Sequence, residues 1–157
     1  MHKALFNLAD VEYGRSPNAV RDENGEYPIY GSGGLVGWAL KPLFEKSGVI
    51  VARKGTLTNP TYAKNKYWVI DTAYSALPKL DVDAKWLYYN LSNFDLTSLN
   101  EATGVPSISR DYLNRIEFFT PNYGQQQKIA NILTTVDSLI EKTQSLIDKY
   151  TAVKQGM

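Results

Sequence analysis

Residues 124–154 read GQQQKIANILTTVDSLIEKTQSLIDKYTAVK, and their apolar side chains return at heptad spacing. Leu133, Ile140 and Ile147 fall at a positions, and Ile129, Val136, Thr143 and Tyr150 at d. Ile132, Leu139, Leu146 and Val153 form a third stripe at g. A two-stranded seam needs only a and d, so the third stripe asks for a wider contact, with another helix or with the chain's own globular body. At the usual rise the helix is roughly 45 Å long. Its start is signalled: Pro121 bars a helix running in, Asn122 can cap, and Gln125 stands three residues on, as in a capping box. Most amphipathic C-terminal helices fold back on their own core. Here the preceding residues, about 120 of them, are too few to cover three stripes over such a length, and the helix is expected to seek a partner.

At 157 residues the chain can bury one core. The economical partition is a globular domain over residues 1–121 and a long spacer or dimerisation helix over 122–157. Hydrophobic residues at 43% and charged residues at 21% are ordinary for a soluble protein and argue against disorder. No stretch has the length and apolarity of a membrane span, and the opening MHKALFNLADVEYG lacks the continuous apolar segment of a secretory leader. The absence of cysteine excludes disulfides, thiol catalysis and Cys-ligated metals. A cytoplasmic location with no membrane partner is the expectation.

Ahead of the helix the pattern is mixed. Tyr27 to Tyr30 leads into a dense glycine run, Gly31, Gly33, Gly34 and Gly37, which predicts turns or close backbone approach. Residues 49–53 read as a buried strand ending at a Lys54-Gly55 turn, and residues 67–71 and 74–77 as further short strands. Trp86, Leu87, Tyr89, Asn90 and Phe94 return at helical spacing behind Asp83, a plausible cap. Ser109 can cap a short helix through Leu113, and residues 116–120 form a strand that Pro121 stops. Strands and helices without regular alternation point to an α+β class: a mixed domain followed by one long coiled-coil helix.

The catalytic inventory is thin. His2 is the one histidine and lies at a terminus, leaving little for Ser-His-Asp chemistry or a zinc site. Lys54-Gly55-Thr56 has the wrong order for a phosphate loop, and the Gly31 to Gly37 cluster lacks the strand-glycine-helix setting of a dinucleotide site. Asn59-Pro60-Thr61-Tyr62 approaches the Asn-Pro-Pro-Tyr motif of amino-methyltransferases, but the chain is too short for the cofactor-binding sheet. Asp81 and Asp83 are explained by a loop and a cap. No nucleophile, base and electrophile assemble, so no catalytic residue, metal or cofactor is assigned.

Charge is more telling. The formal net charge is only +1. Yet residues 41–66 hold Lys41, Lys46, Arg53, Lys54, Lys64 and Lys66 against Glu45 alone. Among these cations, which can neutralise phosphates, stand Thr56, Thr58, Asn59, Thr61, Tyr62 and Asn65; arginine, asparagine and threonine can read base edges. A solvated polar face has the same composition, so the order of surrounding motifs matters.

That order is Tyr27-Pro28-Ile29-Tyr30-Gly31-Ser32-Gly33-Gly34, then Val51-Ala52-Arg53-Lys54-Gly55-Thr56, then Gly104-Val105-Pro106-Ser107-Ile108-Ser109. Pro121 and Gln125-Gln126-Gln127-Lys128-Ile129-Ala130 with Ile132-Leu133 follow, and Lys154-Gln155-Gly156-Met157 closes the chain. Over nearly its whole length this succession resembles the specificity (S) subunit of Type I restriction-modification systems. Two departures stand out: Gln125 replaces a frequent glutamate, and residues 5–14 lack the tryptophan common near the family's start.

The resemblance implies a half-length S subunit, with one target recognition domain and one conserved helix where full subunits have two of each. Two copies would then pair their helices antiparallel through Ile129, Leu133, Val136, Ile140, Thr143, Ile147 and Tyr150, and read a bipartite, inverted-repeat DNA site. It also implies a non-catalytic subunit that scaffolds modification (methyltransferase) subunits, on which S-adenosylmethionine is expected, and a restriction (motor-nuclease) subunit where one is present. Arg53, Lys54, Thr56, Thr58, Asn59 and Tyr62 become candidates for contact with double-stranded DNA, with Lys41, Lys64 and Lys66 for its phosphates. The Gly31 to Gly34 and Ser107 to Ser109 loops are further candidates. Two other classes predict different behaviour. A coiled-coil regulatory or interaction protein would oligomerise without binding duplex DNA, and a small nucleotide-using enzyme would be stabilised by nucleotides.

Overall fold

The computed structural model describes residues 1–156. Met157, the last residue of the expected helical segment, lies outside them. In chain order the elements are β1 (His2–Ala4), α1 (Leu5–Leu8), β2 (Ala9–Tyr13), β3 (Tyr27–Gly31), β4 (Gly34–Ala39), β5 (Gly48–Ala52), β6 (Thr61–Ala63), β7 (Trp68–Val69) and β8 (Ala73–Pro78). Then come α2 (Ala84–Asn93), a 3-10 turn (Leu96–Leu99), α3 (Arg110–Asn114), β9 (Glu117–Phe119) and α4 (Tyr123–Gln155).

A four-stranded sheet ordered β2-β8-β5-β6, antiparallel throughout, forms the centre. Its strand β5 is buried at all five positions, because both sheet faces are covered. Alternation sends Val49 and Val51 to one side and Ile50 to the other. On the first side they meet Trp86, Leu87 and Leu91 of α2, together with Leu5, Leu113 and Ile116. Burying each such side chain contributes roughly 1.5–3 kcal/mol. On the other side Ile50 meets Tyr67, Val69 and Ala73, and beyond them lies a three-stranded sheet ordered β4-β3-β7, in which β7 runs parallel to β3.

Gly48 is required where these layers close. A Cβ there would overlap the Tyr67 hydroxyl and crowd Ser75. Tyr67 and Ser75 share a buried 2.6 Å hydrogen bond. Burial pushes the Tyr67 hydroxyl up to about 12, so it remains a neutral hydrogen-bonding group.

The expected α+β class is the observed one, with several boundaries displaced. The strand expected over residues 49–53 is Gly48–Ala52, and Arg53 turns out of the ladder. Only Trp68–Val69 of residues 67–71 pairs, while the strand expected over 74–77 lengthens to Ala73–Pro78 and that over 116–120 shortens to Glu117–Phe119. The glycine run is less of a loop than expected. Its turn is a two-residue hairpin at Ser32-Gly33, after which β4 continues through Gly34 to Ala39 with a bulge at Val36, opposite Ile29 and Tyr30 of β3. Asp83 and Ser109 cap α2 and α3, accepting the N–H groups of Trp86 and Tyr112.

The long helix starts where its signals lie. Asn122 accepts the Gln125 N–H at 3.0 Å, and the Gln125 side chain accepts the Asn122 N–H at 3.3 Å, closing a capping box. Its 33 residues give a length of about 50 Å. Beside its base lies the β1/β9 pair, where Thr120 donates its N–H to Met1 at 2.7 Å.

Candidate nucleic-acid interface

Two segments about fifty residues apart in sequence are hydrogen-bonded into one surface beyond the end of β5. Arg53 accepts the Ile108 N–H at 3.0 Å, Gly55 donates to the Pro106 carbonyl at 2.9 Å, and Lys54 bridges to Ser107. The Tyr74 hydroxyl donates to the Ile108 carbonyl at 3.0 Å from beneath. Asn100 and Glu101 fix the second segment from within: the Asn100 side-chain Oδ1 accepts the Ser107 N–H, and the Glu101 carboxylate accepts that of Ser109. Gly55 adopts φ +93°, in the left-handed region that favours glycine, with Ser32 of the β3–β4 hairpin against it. The three motif segments that precede the long helix therefore meet at one place.

The candidates chosen from sequence divide into three groups. Lys54, Thr56, Thr58 and Asn59 are exposed on the loop between β5 and β6, which buried Leu57 anchors. Arg53 stands half-buried at its start, donating from Nη1 to the Asp71 carbonyl at 3.0 Å. Tyr62 is apart, on β6 opposite Val49, where it meets Tyr88 of α2 and lies 4.5 Å below the Lys85 ammonium. Lys64 and Lys66 follow β6 at its far end, since Ala63 pairs with Gly48, and they share a groove with Glu26 and Glu45. A strand of this length sets them about 16 Å from Arg53. Lys41 is exposed between β4 and β5. The basic segment, continuous in sequence, is not one continuous patch in space.

Two residues outside that segment enter the convergence instead. The Tyr13 ring, at the end of β2, has the Arg53 guanidinium 5.4 Å and the Arg110 guanidinium 4.9 Å from its centroid, with Tyr74 edge-on at 5.2 Å. Nothing local in the sequence marks Tyr13 or Arg110 for this, because strand pairing and the α3 cap bring them there. Among the described residues no group of three or more His, Cys, Asp or Glu side chains is placed to hold a metal, and no helix is long and apolar enough to cross a membrane.

The helix α4 meets the domain only near its base. Gln126 is buried there: its Oε1 accepts the Asp83 N–H at 2.9 Å, and its Nε2 donates to the carbonyls of Pro121 at 3.0 Å and Asp81 at 3.3 Å. Asp81 holds φ +63°, unusual for a residue with a side chain. Ala130 is buried one turn on, and the Tyr89 hydroxyl donates to Asp137 at 2.6 Å. Burial, then the hydrogen bond to the Asp137 carboxylate, raises the Tyr89 hydroxyl above its ordinary value. Nothing in the sequence marks Gln126 for this beyond its place in the Gln125-Gln126-Gln127 run.

Beyond the base the stripes are bare. From Asn131 to Gly156 every residue except Ser138 is exposed. The g stripe, Ile132, Leu139, Leu146 and Val153, does not dock onto the chain's own domain, since each of these residues is more than half exposed. Of the a and d set, Ile129 and Leu133 border an open groove of about 1130 Å³ with Trp86, Tyr89 and Phe119. Val136, Ile140, Ile147 and Tyr150 face solvent. Thr143 returns its hydroxyl to the Leu139 carbonyl at 2.7 Å, which leaves its methyl for a seam.

Residues 2–149 match the family model described as the Type I restriction modification DNA specificity domain. No curated protein sequence matches the chain. Among solved structures it is similar to the S subunit of a Type I restriction-modification system from M. genitalium, with 23% identity and a TM-score of 0.77 over 94% of this chain and 41% of that one. It is also similar to the HsdS subunit from Thermoanaerobacter tengcongensis, at 14% identity and TM-score 0.69 over 90% of this chain and 38% of that one. A third similar chain comes from work on the assembly and conformational transition of a type I R-M system, at 16% identity and TM-score 0.72 over 90% and 39%. These likenesses establish the shared fold, and the chain spans about 40% of each relative's length.

Proposed function

The chain belongs to the Type I restriction-modification DNA specificity family, and on that premise we propose that it is the DNA-recognition subunit of a methyltransferase complex. In this role it chooses the site and does no bond chemistry. Methyl transfer to adenine falls to separate modification subunits that bind S-adenosylmethionine, and translocation and cleavage to a restriction subunit where one is present. Its place of action is the cytoplasm.

The observation that carries the reading is the unbroken family match from residue 2 to residue 149, which takes in the recognition domain and most of α4. The convergence of the Ser32, Arg53 to Asn59 and Pro106 to Ser109 segments supports it with a hydrogen-bonded, cation-bearing surface. Duplex DNA is bound chiefly through its phosphates, which require such cations, and is specified by side chains that reach the base edges. Lys54, Thr56, Thr58 and Asn59 are exposed in position for both.

The bare stripes of α4 support a second copy as the helix partner. Two helices paired antiparallel about a twofold axis would use the set Ile129, Leu133, Val136, Ile140, Thr143, Ile147 and Tyr150 twice. Each copy's domain would then read one half of an inverted repeat, with helix length fixing the gap between halves. The test is co-expression with a modification subunit, purification of the complex, and mapping of methylated adenines on DNA exposed to it. Methylation confined to an inverted bipartite sequence is the expected result. A chain that captures no modification subunit and directs no methylation would refute the reading.

A further inference from the structure

Three side chains from distant segments make one assembly at the recognition surface: Tyr13 from the end of β2, Arg53 from beyond β5, and Arg110 from the opening of α3. Beside its two cation–π contacts the arrangement carries unfavourable terms. Two guanidiniums against one ring lie within about 10 Å of each other and repel. Arg110 occupies the first turn of a helix, the end where a cation is least favoured. Neither guanidinium is compensated by an acid: among the described residues the one ion pair is Lys79–Asp10. Acids do stand on adjoining segments. Asp71 offers Arg53 its backbone carbonyl, Glu101 spends its carboxylate on the Ser109 N–H, and Asp111 forms an ion pair with neither arginine. Local rules broken together at one spot mark a place held for a ligand rather than for stability.

Building on the DNA-recognition reading above, we propose that Arg53 and Arg110, held by the Tyr13 ring, form a seat for one backbone phosphate of duplex DNA. The charge count favours a phosphate over a base. A base edge is neutral and takes one guanidinium in bidentate fashion, which would leave two cations uncompensated. A phosphate carries the missing negative charge and has oxygens enough for two forks. Tyr13 is 44% exposed and rests edge-on against buried Tyr74, so it is a fixed platform open to solvent. Arg53 is preset by its bond to the Asp71 carbonyl, while Arg110 is the freer arm.

A phosphate seat does not depend on the target sequence, so a pool of random-sequence duplexes of about 30 base pairs is a sufficient probe for the full chain. Anisotropy titrations over a range of salt concentrations give affinity and salt slope together. Arg110→Ala is expected to weaken binding roughly tenfold at low salt and to reduce the slope by about 1, and Arg110→Lys to restore the slope but not all of the affinity. Tyr13→Phe should bind as the unmodified chain does, and Tyr13→Leu should lose part of the affinity. Thermal unfolding of each variant separates these effects from misfolding. If the unmodified chain binds with a salt slope and Arg110→Ala matches it in both quantities, the seat is overturned and the DNA-recognition reading survives. A weaker Arg110→Ala with an unchanged slope also overturns the phosphate assignment. Failure of the unmodified chain to bind duplex DNA at any salt would overturn the seat together with the reading it rests on.

Discussion

Strand β5 and the outer part of α4 are the two most regularly apolar stretches of this molecule, and the fold treats them in opposite ways. Every residue of β5 is buried, Val49 and Val51 under α2 and Ile50 under the second sheet. On α4, Leu139, Ile140, Leu146, Ile147, Tyr150 and Val153 are all more than half exposed. The first stretch finds its partners inside the chain, and the second has none there. Apolar patterning says that a surface wants covering, and only the fold says whether the cover is internal. The base of α4 marks the change: Gln126 and Ala130 are buried against the domain, and the residues beyond Asp137 stand clear of it, all exposed but Ser138.

The largest effect is expected at the seam. Ile140→Glu with Ile147→Glu places carboxylates where the paired helices would exclude water, weakening association by about 4 kcal/mol or more, on the order of a thousandfold. Thermal unfolding of the domain should be nearly unchanged, because neither residue touches it. A domain destabilised by this pair would erase the distinction between the two regions.

The converse change lies beside β5. Gly48→Ala drives a methyl into Tyr67 and Ser75 and should cost the domain about 2–3 kcal/mol, seen as an earlier denaturant midpoint. The helix seam should survive it under conditions where the domain is still folded. A smaller effect is expected at the boundary. Gln126→Leu leaves the Asp83 N–H and the Asp81 and Pro121 carbonyls without their partner, at a cost of about 1–2 kcal/mol. Hydrogen exchange should show its first loss of protection at the base of α4 and the start of α2, and exchange unchanged there would show that Gln126 does not clamp the two together.

The sequence was most legible where the signal is local. The Asn122/Gln125 capping box, the Asp83 and Ser109 caps, and the long helix that the heptad stripes announce depend on residues a few positions apart, and each of these is present. Signals that depend on distant partners were not legible. Thr61–Ala63 is too short to announce itself, and β1 and β2 exist because β9 and β8 are there to receive them. The candidate interface shows the same limit. The charge run picked out Arg53, Lys54, Thr56, Thr58 and Asn59, but also Lys64 and Lys66, which an antiparallel pairing carries to the other end of the sheet. Tyr13 and Arg110 could not be found from sequence, since their neighbourhood is made by the β2–β8 ladder and by Arg53 itself.

In the proposed function the bare stripes of α4 are one half of an interface between two copies of this chain. Sedimentation equilibrium of the unmodified chain at micromolar concentration tests it most directly. Pairing through α4 gives a single species of twice the 17.6 kDa chain mass, and a stable monomer of 17.6 kDa at those concentrations rules it out.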